Sequence, residues 1–429
     1  MAQGAREYEL VLLGATGYTG KLTAEWISTN LTTDLKWAIA GRNSRKLQAV
    51  VDELKKLNPN RKQPDVEICE LDKPQLTSLA TRTRLIITTV GPYMWYGEPV
   101  LSACAENGTH YLDCTGEVPW YHEMVSKYHE IAKKNNAIII PQCGLDSVPA
   151  DIMAYALTSY IRKTLKAPTL SVVFSMYNMK TGVSGGTSAT ALNVFGNYSL
   201  KKLGETMKPY SLSPVRPTGP SKAPASSLLY RLLGLVHIPE LGGTQTVGIM
   251  AAIDTCIVHR SWGLFEEISK ASSNPDKSWG SKFRFLEYSR AKSIIAGALF
   301  RFGFALAGLL LAFPPTRWIL TPLIKKFIIP APGEGPSKDA QKGDFLDYRA
   351  MGIADTPKQE KVLGRVNITF GAYPTTALTL AAAADVILRG DLGETEAGKL
   401  GGGIVTPAML GEQYLAKLNE FGVKIEVGN

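Results

Sequence analysis

One stretch near the amino terminus constrains this chain more than any other. An apolar run over Glu7–Leu13 leads straight into Gly14-Ala15-Thr16-Gly17-Tyr18-Thr19-Gly20, and that loop opens an amphipathic helical pattern over Gly17–Thr29. A glycine fingerprint alone is weak, but the strand before it and the helix after it are what its mechanism requires. Gly14 permits a tight turn, Gly17 lets a pyrophosphate approach the backbone, and Gly20 lets the helix lie close on the strand. Free N–H groups at the positive end of the helix dipole then face the phosphates. Ala15, Thr16, Tyr18 and Thr19 complete the loop and are read with the glycines as contacts to a dinucleotide.

The same alternation continues to residue 141. Strands are expected near Lys36–Ala40, Val66–Leu71, Leu85–Thr89, His110–Leu112 and Ala137–Pro141, with helices at Ser44–Leu57, Gln75–Arg82, Val100–Glu106 and Trp120–Lys134. Repeated β-α units with right-handed crossovers give a doubly wound parallel sheet with helices on both faces. The predicted fold class is α/β: a Rossmann domain over residues 1–150 and a second, α+β domain over 151–429. In the second domain a strand is expected at Thr169–Tyr177, with a helix after Gly185. The Pro- and Ser-rich stretch Lys208–Ser227 reads as a long surface loop or a flap. The tail shows a strand near Gly364–Thr369, helices near Thr375–Leu388 and Pro407–Phe421, and a last strand at Val423–Val427. It either closes the second domain or packs back on the first.

At 429 residues, 45% hydrophobic and 20% charged, the chain can bury a large core. A net charge of +9 suits anionic cofactors or lipid surfaces, and no basic run with interleaved aromatics points to nucleic acid. The five cysteines and five histidines are scattered without metal-ligand spacing, so no metal site and reduced thiols in a cytoplasmic protein are expected. Met1–Glu7 lacks the apolar region of a secretory signal.

Cofactor choice is read at the end of the second strand, Ala40-Gly41-Arg42-Asn43. Enzymes that prefer NAD place an acid there for the ribose hydroxyls. Arg42 instead offers a guanidinium suited to a 2′-phosphate, with Arg45 and Lys46 nearby, and NADPH is the expected cofactor. Asp72, after the third strand, meets the adenine edge or caps the following helix ahead of Pro74. Thr88-Thr89-Val90-Gly91-Pro92-Tyr93 ends the fourth strand, where the carboxyl ends of such sheets face the ligand. Val90, Gly91 and Pro92 are expected beside the nicotinamide ribose. Tyr93 and Tyr96 are candidate proton donors if they enter the cleft, and packed aromatics if they do not. Cys114 and Cys143 read as packing, His110 and Asp113 as no dyad, and Glu117 and Asp146 as loop hydrogen bonding.

Ser293–Phe313 is apolar apart from Arg301 and is flanked by Arg290, Lys292, Arg317, Lys325 and Lys326. Its length is near the ~20 residues of a membrane span, but a central arginine costs about 2.5–3.5 kcal/mol on insertion scales. Contact with a membrane or lipid droplet stands beside a buried helix that helps to form an acyl-binding wall.

The Gly14–Gly20 loop and Ala40-Gly41-Arg42 are joined by Gly91-Pro92-Tyr93 with Tyr96-Gly97-Glu98-Pro99, Tyr111-Leu112-Asp113-Cys114-Thr115-Gly116-Glu117 and Gly144-Leu145-Asp146-Ser147-Val148-Pro149-Ala150-Asp151. With Ser184-Gly185-Gly186-Thr187 and Gly402-Gly403-Ile404-Val405-Thr406-Pro407-Ala408, the set resembles the saccharopine dehydrogenase-like oxidoreductase family, trans-acting enoyl reductases included. The resemblance covers nearly the whole chain. It implies an NADP(H)-dependent oxidoreductase whose substrate domain follows the Rossmann domain. The expected reaction is reduction of the C=C bond of an enoyl thioester, an acyl or polyketide substrate held free or on a carrier protein. Gly185, Gly186 and Thr187 are read as donors to the thioester oxygen or as a plain helix start. A C=N reductase of saccharopine dehydrogenase type and a lipid-surface nucleotide-binding protein with little catalysis are the alternatives.

Overall fold

The computed structural model describes residues 6–182, 192–219, 227–327 and 334–428. The first β-α series is β1 (Tyr8–Leu13), α1 (Tyr18–Asn30), β2 (Trp37–Gly41), α2 (Ser44–Leu57), β3 (Asp65–Ile68), α3 (Lys73–Arg82) and β4 (Thr83–Thr88). It continues through α4 (Tyr93–Asn107), β5 (His110–Asp113), α5 (Val118–Lys134), β6 (Ile138–Ile140) and α6 (Val148–Tyr160). Leu10, Leu12 and Leu13 of β1 are all but fully buried, as expected for a central strand covered on both faces. A substitution such as Leu12→Ala there carries a cost of about 2–5 kcal/mol.

The second unit holds β7 (Thr169–Lys180), α7 (Leu200–Thr206), α8 (Leu228–Leu233), β8 (Val236–Ile238), β9 (Gly243–Val247), α9 (Ala251–Ala271) and β10 (Arg284–Arg290). The apolar α10 (Ile294–Ala312) and α11 (Pro314–Phe327) precede β11 (Phe345–Ala354) and β12 (Lys361–Ile368). The chain ends with α12 (Ala372–Arg389), β13 (Gly403–Ile404), α13 (Gly411–Glu420) and β14 (Val423–Val427).

Two seven-stranded sheets result. The first runs β13-β6-β5-β4-β1-β2-β3, every pair parallel. The second runs β14-β12-β11-β7-β10-β9-β8, antiparallel except for β7 and β10. The strand order of the first sheet reverses between β1 and β4, which opens the ligand crevice at their carboxyl ends.

A boundary at residue 150 does not divide the molecule cleanly. β13 adds an edge strand to the first sheet, and α12 packs along α1 and beneath β4 and β5. Trp26 of α1 meets Phe370 and Phe421 edge-on and tilted, at 5.6 and 6.1 Å between ring centres. The tail therefore completes the first domain through β13 and the second through β14. A strand of two residues carries no periodicity by which to assign it.

Two further expectations need correction. α4 begins at Tyr93, well before Val100, because Pro99 is accommodated inside the helix. The start of the 208–227 stretch is anchored: Tyr210 and Leu212 are buried, and Arg260 and Arg284 donate to the carbonyls of Leu212 and Gly219. Apolar side chains with satisfied carbonyls hold it on the second domain.

Candidate nucleotide and substrate site

The phosphate loop has the geometry a pyrophosphate needs. Gly14 adopts φ +94°, and a Cβ there would stand 2.8 Å from Val90 Cγ2, so Val90 and the loop abut. A Cβ at Gly20 would lie 2.1 Å from the Gly14 carbonyl, so only glycine lets α1 start so close to β1. Over Gly17, by contrast, a Cβ would meet only the Gly14 oxygen at 3.5 Å, and no side chain caps the helix from that position. Open space above uncapped N–H groups is the cradle a phosphate fills. Ala15 is fully buried, Thr16 half-buried, and the Thr19 carbonyl accepts from Thr23 Oγ1.

Tyr18 faces elsewhere than the notion of a phosphate contact implies. Its hydroxyl donates to the Pro336 carbonyl and accepts from Gln341 Nε2, each at 2.7 Å. At the end of β2, Asn43 caps α2 by accepting from the Lys46 N–H. Arg42, Arg45 and Lys46 are exposed and, among the described residues, engage no carboxylate. Three free cations at this edge fit a 2′-phosphate.

Asp72 proves to be the cap of α3, accepting from the Gln75 backbone N–H at 3.0 Å and from its amide side chain at 2.6 Å. Its carboxylate is thus committed away from the adenine edge. Gly91 and Pro92, joined by a cis peptide bond, form the turn after β4, and α4 follows at once. Glu117 lies under that helix start, accepting from the Tyr93 and Met94 N–H groups at 2.9 and 2.6 Å. This is the hydrogen-bonding role the sequence suggested for Glu117.

Tyr93 is buried, stacks at a tilt on Trp120, and donates its hydroxyl hydrogen to the Thr88 carbonyl at 3.0 Å, with Cys114 Sγ 3.3 Å away. That hydrogen is already used. Tyr96 stands exposed beside Trp95. All five cysteines are free thiols, and burial pushes Cys114 and Cys143 up to about 12. Asp113 accepts from the Tyr111 hydroxyl and from the Thr115 and Gln142 N–H groups, and burial lifts it to about 7. His110 accepts from the Ile138 N–H and forms no dyad with Asp113. Gly185, Gly186 and Thr187 lie outside the described residues. Among those described, no cluster of His, Cys, Asp and Glu is suited to a metal.

Sequence reasoning missed what faces this crevice from the second domain. Gly116, just past β5, packs on both units: a Cβ there would stand 3.6 Å from Asp146 Oδ2 and 3.5 Å from Ile253 Cδ1. Asp254, in the first turn of α9, follows Ile253 and faces Glu287 of β10 at hydrogen-bonding distance. Tyr348 of β11 senses the same three carboxyl groups.

Residues 10–140 match the family described as the saccharopine dehydrogenase NADP binding domain. A Mycobacterium tuberculosis protein named trans-acting enoyl reductase is 31% identical over 440 residues, covering 99% of this chain and 98% of its own. The chain belongs to the saccharopine dehydrogenase-like oxidoreductase family. A Mycobacterium ulcerans member named trans-acting enoyl reductase is 29% identical over 443 residues, with 99% of each chain covered. The solved saccharopine dehydrogenase (L-Glu forming) of Saccharomyces cerevisiae aligns over 98% of this chain and 100% of its own, at 11% identity and a TM-score of 0.46. Like its family, the protein is an NADP-dependent oxidoreductase, and NADPH is its cofactor.

Proposed function

We propose that this protein reduces the C=C bond of an α,β-unsaturated acyl or polyketide thioester, free or presented on a carrier protein. The observation that carries the reading is the chemistry of the crevice wall. Asp146 lies in the loop at the carboxyl end of β6, and the acids Glu287, Asp146 and Asp151 act on the buried Asp254. An amino-acid-derived C=N substrate carries several carboxylates, which such a wall repels. A thioester is neutral at its reacting end. The full-length similarity to proteins named trans-acting enoyl reductase supports the same choice.

NADPH supplies a hydride to the β-carbon. The chain's own contribution is to hold the phosphates on the α1 N–H groups, anchor the 2′-phosphate on Arg42, and keep the reacting groups out of water. The test is NADPH oxidation with a panel of enoyl thioesters, against a carbonyl compound supplied together with an amine. Turnover of the thioester alone bears the reading out. Turnover that requires both carbonyl and amine moves the protein to C=N reduction.

We also infer that α10 and α11 rest on a lipid surface, a bilayer or a lipid droplet, with the catalytic body in the cytoplasm. α10 buries only Gly297, while Ile295, Leu299 and Trp318 are 70–74% exposed. Leu228 and Leu232 of α8 extend the same apolar platform. Arg301, the objection to membrane contact, lies against Gly234, where a Cβ would stand 2.1 Å from its Nε. The arginine thus faces the protein, and the opposite face of the helix stays apolar. Arg290 is spent on the Tyr177 ring at 4.4 Å, and Arg317 donates to the Phe195 carbonyl. Apolar burial, rather than attraction to anionic lipid, is the driving force. Flotation with neutral vesicles tests this, and flotation that required anionic lipid would refute it.

A further inference from the structure

The loop after β6 holds its acid in a fixed place. Leu145 donates its N–H to Thr376 Oγ1 at 3.2 Å, Gly144 packs so that a Cβ would meet Cys114 Cβ at 3.0 Å, and Ser147 and Val148 both bond back to the Gly144 carbonyl. The Asp146 side chain, half-buried, accepts no hydrogen bond from any described residue. Its neighbour in sequence, Asp151, is fully occupied by Ser261 and by the Ala408 N–H.

On α9 and β10, Asp254 and Glu287 are 5% and 9% exposed, and Asp254 Oδ1 and Glu287 Oε2 have no partner among the described residues. Two buried carboxylates face to face without a countercharge cannot both ionise, so the pair retains a proton. The groups that act most on Asp254 are the acids Glu287, Asp146 and Asp151, and Tyr348 feels Asp254, Glu287 and Asp146. Burial lifts Asp146 to about 6, and burial first, then the neighbouring acid, drives Asp254 upward. A carboxyl group lifted towards neutrality, in a loop at the carboxyl end of a parallel strand, matches the needs of a general acid.

We propose that Asp146 delivers the proton that completes the reduction, and that Asp254 and Glu287, sharing a proton between facing carboxyl groups, are positioning residues that favour its protonated form. This rests on the enoyl thioester reading. After hydride reaches the β-carbon, the alkene's electron pair resides on the enolate of the thioester. The α-carbon takes the Asp146 proton as a new C–H bond forms and the O–H bond breaks. The Asp146 carboxylate then regains a proton from solvent. Tyr93 is not a competitor for this role, because its hydrogen serves the Thr88 carbonyl.

The test uses the full-length protein and two readouts. Infrared difference spectra across a pH titration should show a protonated carboxyl at pH 7 that Asp254→Asn and Glu287→Gln each remove. No such band, or one indifferent to both variants, overturns the shared proton. With a turned-over enoyl thioester, Asp146→Asn should lower kcat about 100-fold or more, the usual scale for losing a general acid. NADPH affinity should stay unchanged, and Asp146→Glu should restore part of the rate. Asp254→Asn combined with Glu287→Gln should move the alkaline limb of the kcat profile toward lower pH, since the double variant removes the negative charge that the pair retains. If thioester is reduced and Asp146→Asn keeps wild-type kcat, this proposal falls while the enoyl reductase reading stands. If no thioester is reduced by the wild type, the functional reading falls and the infrared arm decides the proton-sharing pair by itself.

Discussion

The hydroxyl of Tyr18 donates a 2.7 Å hydrogen bond to the carbonyl of Pro336, tying the first turn of the phosphate-loop helix to a segment 318 residues further along the chain. Gln341 donates to the same hydroxyl, and Lys338 pairs with Glu25 of α1 at 2.9 Å. Tyr18→Phe removes two hydrogen bonds, together worth about 1–3 kcal/mol. A fall in Tm of about 2 °C is expected for a chain of this size. NADPH affinity should change less than twofold, because backbone N–H groups hold the phosphates. A tenfold loss of affinity in a titration would put this hydroxyl on the cofactor instead.

Arg42 is exposed and, among the described residues, engages no carboxylate, so its guanidinium is available for a 2′-phosphate. Arg42→Ala should weaken NADPH binding about tenfold or more, equivalent to roughly 1.4 kcal/mol. NADH binding should be nearly unaffected. Side-by-side fluorescence titrations read the difference, and equal losses for both nucleotides would assign Arg42 to adenine stacking.

Glu117 satisfies two N–H groups at the start of α4. Removing both acceptors in Glu117→Ala leaves buried donors unpaired, at about 2–4 kcal/mol. Glu117→Gln keeps one acceptor oxygen and should lose roughly half as much. Urea unfolding of the two variants checks the ratio.

His259 stacks on Tyr210 at 3.6 Å between ring centres, accepts from the Tyr210 N–H, and has a buried Nε2 without a partner. Burial drives its pKa down to about 3, below the 6.5 of the unfolded chain. The unfolded state therefore binds a proton first as pH falls. Stability from neutral His259 is complete above pH 6.5 and drains away towards pH 3, by about 1.4 kcal/mol per unit at most. His259→Gln should lower stability at pH 7.5 yet flatten its acid decline between pH 6.5 and 4. An acid limb as steep as the wild type's would assign the decline to His110 and His129, which burial lowers to about 4.

Leu306 and Leu309 are 56% and 65% exposed on α10. Replacing both with Asp should release the protein from neutral vesicles in a flotation assay and leave NADPH affinity intact. Loss of both properties would show that the helix supports the fold rather than a lipid contact.

The cofactor half of the molecule was readable in the sequence because its signals are local. A glycine loop, an adjoining strand and a helix lie within about 20 residues of one another, and their physics does not depend on distant partners. Asp72 was readable as a cap for the same reason. Asp254 and Glu287 carried no such signal, since they come together only through the packing of α9 against β10. The basic flanks of α10 were visible as charges, but the Tyr177 ring that occupies Arg290 was not. Pro99 obscured the start of α4, because a proline pattern reads as a break and tertiary packing around Trp120 overrides it.

The return of β13 to the edge of the parallel sheet bears on how the protein is made. A ribosome releases the phosphate loop first, yet the nucleotide domain cannot be finished until Gly403 and Ile404 have emerged. The apolar α10 emerges before that, while α1 still lacks its cover from α12. Domains built during synthesis usually close in order from the amino terminus. Here the order is interrupted, so the apolar α10 is synthesised while the cofactor domain is still open and the apolar face of α1 is still uncovered.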